Sequence, residues 1–156
     1  MINLHQAGDE RAVASMGTAL TNMQARRLLV HADTIVFAFD GDAPGRKAAL
    51  VAVAVLLDEM KDGKSAKFLF LPNEEDPDSF VRAHWLDAWR DAVEQASPLS
   101  AFLADYVAHG LDRGVPESQV KAAEKAKAIL ARIQHAQIFE RAMKAKFEEL
   151  IGVRLE

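Results

Sequence analysis

The chain of 156 residues contains no cysteine. Disulfides and the common thiolate frameworks for zinc are thereby excluded, which fits a reducing compartment. It has no run of eighteen apolar residues, so no membrane span is expected. Its opening, Met1-Ile2-Asn3-Leu4-His5, lacks the charged and apolar regions of a signal peptide. It has no excess of positive charge either: 19 Lys and Arg stand against 23 Asp and Glu, a net charge of −4. Bulk charge therefore gives no argument for nucleic-acid binding, which would need a local basic patch or bridging metal ions. Internal repeats, low-complexity tracts, a G-x-S-x-G elbow and a Walker-type phosphate loop are all missing. The five histidines share no spacing and are assigned no chemistry. What is present is ordinary for a globular chain, half hydrophobic and 27% charged, with length for one domain or a domain with a small appendage.

One stretch organises the rest. Ile35-Val36-Phe37-Ala38-Phe39 runs straight into Asp40-Gly41-Asp42. A short apolar run rich in branched and aromatic residues reads as a strand buried on both faces. In extended backbone, residues i and i+2 point to the same side, so Asp40 and Asp42 converge. Two close carboxylates repel unless a cation neutralises them, and a hard ion such as Mg²⁺ takes oxygen ligands. Acidic residues after a strand are also common loop caps, so a bare D-x-D does not decide between metal binding and capping.

Taken in order, Ile2 to Ala7 reads as the end of a helix stopped by Gly8, and Arg11 to Ser15 as a short strand. Thr18 or Thr21 caps a helix over Asn22 to Val30 with Met23, Leu28 and Leu29 on its inner side. After Asp42, Pro44 suits a first helical turn, and Ala48 to Leu57 is a helix covered on most sides. Asp62-Gly63 ends it and Ala66 to Leu71 is the next strand. This alternation predicts βαβ units and a parallel sheet. In the following acidic loop, Asp76 and Asp78 repeat the D-x-D spacing at the same sheet edge, although Asp76-Pro77 is also a good helix start. From Phe80 onward the pattern is helical. Trp85, Trp89 and Val93 share a face expected in the core. Leu99, Phe102, Leu103 and Tyr106 follow Ser97-Pro98 at helical spacing. After a hinge over 110–116, one stripe runs through Val120, Ala123, Leu130 and Ile133, and another through Phe139, Met143, Phe147 and Leu150. Lys121, Lys125, Lys127, Arg141, Lys144 and Lys146 read as solvated helix faces.

Four of these segments together resemble one family: A-S-M-G-T-A-L-T at 14–21, V-F-A-F-D-G-D-x-x-G-R-x-A-A at 36–49, F-L-F-L-P-x-x-x-D-P-D-S-F-V-R at 68–82 and S-P-L-S-x-F-L at 97–103. In order and spacing they resemble bacterial DNA primase of the DnaG type. The resemblance implies an α/β Toprim fold, a Rossmann-like parallel sheet with flanking helices, over residues 1–95. A small helical bundle of the primase core follows over 96–156. It implies a nucleotidyltransferase that makes RNA primers for DNA replication in the cytoplasm, at the replication fork. Its cofactor is Mg²⁺ or Mn²⁺. On the matching positions, Asp40 and Asp42 are the catalytic metal ligands, and Asp76 and Asp78 are the second acidic pair. Gly17 and Thr18 lie in a loop near the site. Gly41 and Gly45 admit close backbone approach to metal and phosphates, and Arg46 is a candidate phosphate contact. Implied partners are a single-stranded DNA template and nucleoside triphosphates, with no membrane.

The departures bear on what the chain does alone. The family's E-G-Y-M-D motif, whose Glu completes the metal site, belongs directly before Met1. The strand bearing it is expected beside the Asp40 strand. The family's zinc-binding N-terminal domain, the basic half of its core and its helicase-binding C-terminal domain have no counterpart here. The expectation is therefore a fragment or truncated product, inactive alone and at best a weak, salt-sensitive binder of nucleic acid. Two rival readings stand. Haloacid-dehalogenase-like phosphatases also use strand–D-x-D, with the first Asp as nucleophile, but they place Thr or Val where Pro44 stands. A non-catalytic remnant that binds a partner through its helical tail is the other.

Overall fold

The computed structural model describes residues 2–15, 19–72 and 75–156 of the chain. The predicted Gly17–Thr18 loop lies outside the described residues. The strand–helix–strand heart forms as its sequence dictates. Strand β1, Thr34–Asp40, and strand β2, Ser65–Leu71, pair in parallel from Thr34 opposite Ser65 to Asp40 opposite Leu71. Helix α3, Ala43–Glu59, joins them, preceded by α1, Ile2–Ala7, and α2, Asn22–His31. Its buried face, Gly45, Ala49, Ala52, Val53, Leu56 and Leu57, recurs at helical spacing. Pro44 sits in its first turn, where the absent N–H costs nothing. Thr21 caps α2, exchanging bonds with Gln24 in a capping box.

After β2 come α4, Pro77–Glu94; a two-residue strand β3, Ser97–Pro98; and three helices, α5 Leu99–Ala108, α6 Pro116–Arg132 and α7 Gln137–Ile151. β3 pairs antiparallel with β2, so the expected parallel sheet carries a short antiparallel edge, in the order β1-β2-β3. Side-chain alternation splits the sheet into two faces. Ile35, Phe37, Phe39, Ala66, Phe68 and Phe70 face the larger core, shared with α2, α3, α5, α6 and α7. Ala38, Leu69 and Leu71 face a smaller one with Leu4, Phe80, Val81 and Trp89 from α1 and α4. The last helices are tied to the α/β part by polar contacts as well. Asp62 accepts from the Ile138 and Phe139 backbone N–H groups at the start of α7, each at 3.0 Å, and Arg132 pairs with Asp58 at 3.0 Å. Among the described residues no helix is long and apolar enough to cross a membrane.

Several expectations are corrected. Residues 11–15 form no strand. Among the described residues, no strand pairs with β1 on the side away from β2, and an extended segment without a ladder neighbour is not a strand. On α2 the inward residues are Ala25 and Leu29, with Met23 70% exposed. On α6 they are Ala122, Ala126 and Ile129, with Val120 turned out. On α7 Met143 and Phe147 are buried as expected and Ile151 joins them, while Phe139 and Leu150 pack from the margin. Trp85 leaves the core. Its backbone, φ 68° and ψ 167°, breaks α4, and its side chain is 79% exposed. The break puts Trp85 and Trp89 out of helical phase. Trp89 is buried and donates its indole N–H to Asp9 at 3.0 Å.

Asp9 is the buried polar group of this smaller core, 6% exposed. Arg11 grips it through two nitrogens, at 2.8 and 3.1 Å. These bonds hold its carboxyl down at about 2, from an ordinary 3.8. A depressed carboxylate stabilises the fold above its unfolded pKa, and that stability drains as pH falls through the folded one. Asp9→Asn is expected to cost about 1–2 kcal/mol at pH 7, discounted for the exposed Arg11 partner, and the cost is expected to shrink between about pH 4 and 2. Urea melts across that range check it, and a pH-independent cost would contradict it. The Trp85 backbone lies in a region that is essentially glycine's alone, at a cost of about 1–3 kcal/mol. Trp85→Gly is therefore expected to raise the unfolding free energy by about 1 kcal/mol and Trp85→Ala not to, as read in the same melts.

Candidate metal and phosphate site

The site is built by two strand ends that finish level. Because Asp40 pairs opposite Leu71, the loops after β1 and β2 leave the sheet at the same edge, and each turns directly into a helix. Asp42 is the N-cap of α3, its Oδ1 accepting from the Gly45 N–H at 2.7 Å. Asp76 is the N-cap of α4, accepting from the Ser79 N–H at 2.7 Å, with the Ser79 side chain closing a capping box. Capping and convergence are thus the same arrangement: the carboxylates that start the two helices also face one edge. Asp40 shares its side of β1 with Ala38, which packs in the α4 core, so its carboxylate emerges toward α4 and Asp76. Among the described residues no hydrogen bond engages the Asp40 carboxylate. Asp78 lies in the first turn of α4, half-buried.

The electrostatics follow. Partial burial pushes the Asp40 carboxyl above its ordinary value, and the charges of Asp42 and Asp76 push it the same way. Asp76 moves down, held ionised chiefly by the Ser79 N–H. Three carboxylates therefore share an edge, and one of them is penalised for its charge.

Two glycines let the edge close. A Cβ on Gly41 would run into the carbonyl of Leu71, and one on Gly45 into the carbonyl of Asp40. At both glycines backbone approaches backbone closely, which locks the β1 loop against β2 and α3 against β1. Arg46, exposed in the first turn of α3, lays its guanidinium over the Phe70 ring, 4.9 Å from the centroid. Phe70 carried no signal in the sequence beyond that of a core strand residue. The pairing of His84 with Glu75 at 3.2 Å, just before Asp76, was likewise unforeseen.

A parallel β-α-β heart with carboxylates at the strand ends and helices on both faces agrees with a Toprim-type α/β fold, and residues 1–66 match the Toprim domain. The relatives are primases. The chain is 37% identical over 154 residues to the DNA primase of Neisseria meningitidis serogroup A, covering 98% of this chain and 26% of that one. A DNA primase domain from Pseudomonas aeruginosa superposes with a TM-score of 0.92 at 37% identity, over 97% of this chain and 47% of that one. A DnaG primase catalytic domain bound to single-stranded DNA gives 0.90 at 31% identity, over 97% and 48%. The chain is a homologue of the Toprim-bearing part of bacterial DNA primase, and it spans about a quarter of the length of the curated relatives it matches. The phosphatase reading has no support in these matches.

Removing the penalised charge has a defined sign. A raised carboxyl lends its stability below its unfolded pKa and loses it as pH rises through the folded one. At pH 7 without metal, Asp40→Asn is expected to raise Tm slightly, on the order of 1–2 °C, with the gain vanishing near pH 3. A fall in Tm at pH 7 would contradict the geometry above.

Proposed function

We propose that this chain supplies the metal-holding edge of a primase, and that Asp40 and Asp42 are its principal ligands, with Asp76 and Asp78 bordering them. The observation that carries the reading is the in-register ending of β1 and β2, which brings two capped carboxylate loops to one edge. The donor set suits Mg²⁺ or Mn²⁺. All donors are hard oxygens, Asp42 and Asp76 each spend one oxygen on a helix N-terminus, and Asp40 spends none on hydrogen bonds among the described residues. Among those residues no group of three or more ligand side chains closes on a point. An ion held there would have to keep several waters and take its other ligands from substrate phosphates, as Mg²⁺ commonly does. The bound ion would neutralise phosphate charge during nucleotidyl transfer.

The chain's own residues do the holding. Asp40 and Asp42 present charge at a fixed edge, Gly41 and Gly45 let the backbone close behind them, and Arg46 offers positive charge beside them. Residues 1–95 carry this chemistry, and 96–156 back the sheet as the start of a helical subdomain. The template is single-stranded DNA and the substrates are nucleoside triphosphates. With a net charge of −4, the chain's own grip on DNA is weak and salt-sensitive.

The test pairs binding with synthesis. Calorimetric titration of Mn²⁺ is expected to give weak binding to the chain and none to Asp40→Ala/Asp42→Ala; equal binding would sink the reading. In a primer-synthesis assay on single-stranded DNA with labelled nucleotides, the chain alone is expected to be silent. Alignment of template and nucleotides alone is worth about 7–11 kcal/mol of barrier, and this surface does not supply it. Activity is expected on adding a separately made N-terminal piece ending in E-G-Y-M-D, and its loss on Asp40→Ala.

A further inference from the structure

Arg46 is placed unusually. It is exposed, it sits in the first turn of the helix that Asp42 caps, and among the described residues its guanidinium makes no hydrogen bond or ion pair. An arginine beside an acidic edge would ordinarily fold onto a carboxylate. Here its contact is with the face of Phe70, at 4.9 Å. A guanidinium stacked by its flat face keeps its N–H donors, which lie in the plane, directed outward. Pairing with a carboxylate would use up some of those donors. Stacking leaves the whole fork free for another anion.

The ring beneath it is fixed. Phe70 stacks on Phe39 at 6.0 Å and on Phe102 at 5.9 Å, and Phe102 stacks in turn on Phe68 at 4.7 Å. Phe39 immediately precedes Asp40, and Phe70 immediately precedes Leu71, the residue paired opposite Asp40. The aromatic column lies on the face of the sheet opposite to Asp40, so it holds the guanidinium at the same end of the sheet as the carboxylates, across the strand ends from Asp40.

We propose that Phe70 is a positioning residue, whose ring holds the Arg46 guanidinium with its donors free to grip the phosphate oxygens of a nucleoside triphosphate at the Asp40/Asp42 edge. This rests on reading that edge as the metal-holding site. A polyphosphate meets repulsion from Asp40, Asp42 and Asp76. Arg46 supplies positive charge there that does not depend on the metal, and it does so in the planar, forked form suited to phosphate.

The test measures affinity for tripolyphosphate and for ATP, each with and without Mg²⁺, in the whole chain and its variants. Phe70→Leu is expected to weaken both ligands about three- to five-fold, the scale of an exposed cation–π contact. Phe70→Trp restores affinity, because it restores the π face. Phe70→Leu made on an Arg46→Ala background is expected to change nothing further. Phe102→Leu, which disturbs the same aromatic column without removing the ring under Arg46, is expected to cost less affinity than Phe70→Leu. An equal loss from Phe70→Leu with and without Arg46, failure of the Trp variant to rescue, an equal loss in Phe102→Leu, or no tripolyphosphate binding by the parent chain would each overturn the proposal. Mn²⁺ titration of the same proteins separates it from the metal reading. Phe70→Leu should leave Mn²⁺ affinity intact. If Asp40→Ala/Asp42→Ala also leaves it intact, the metal reading falls while the metal-free tripolyphosphate series still judges Phe70.

Discussion

Everything at the candidate site depends on two parallel strands ending level. Pairing from Thr34 opposite Ser65 to Asp40 opposite Leu71 carries the chain off the sheet at one edge twice, and each exit runs into a helix N-terminus. A helix start wants an acceptor for its free N–H groups, and a carboxylate serves best because it also meets the positive end of the helix dipole. Local helix chemistry thus places Asp42 and Asp76, and sheet register brings them together. A slip of one residue would turn Asp40 to the opposite face, toward the aromatic column instead of α4. Gly41 and Gly45 permit the close approach at this edge, since side chains there would collide with the carbonyls of Leu71 and Asp40.

The edge is electrostatically unfavourable to the fold that makes it. Asp40 carries an elevated carboxyl pKa because burial and two neighbouring charges act together. Several acids elsewhere are closely paired: Asp9 with Arg11 and Trp89, Glu59 with Arg26, and Asp62 with the start of α7. The contrast between these satisfied acids and Asp40 is what singles the edge out. Asp40 is penalised for its charge, a penalty that a bound cation would relieve.

Much of this was legible in the sequence because it is local. The apolar run into Asp40-Gly41-Asp42, Pro44 in a first turn, Thr21 as a cap and the Asp76-Pro77 helix start each announce themselves within a few residues. Failures came where long-range packing decides. Arg11 to Ser15 has a strand's composition, but a strand needs a neighbour. On α6 and α2 the buried stripes run through Ala122, Ala126 and Ile129 and through Ala25 and Leu29, which leaves Val120 and Met23 facing outward. Trp85 and Trp89 are spaced to share a face, but the backbone break at Trp85 removes the phase relation. The Asp9–Trp89 bond spans 80 residues and the Arg46–Phe70 contact crosses from helix to strand, so neither has a short-range signature.

The central claim is that both acidic loops serve one cation. Its most direct measurement is paramagnetic broadening of backbone amide signals in the isotopically labelled chain on adding substoichiometric Mn²⁺. The account predicts broadening centred on residues 40–46 and 75–79 together, lost in Asp40→Ala/Asp42→Ala. Broadening confined to one loop, or centred on another part of the surface, would contradict it.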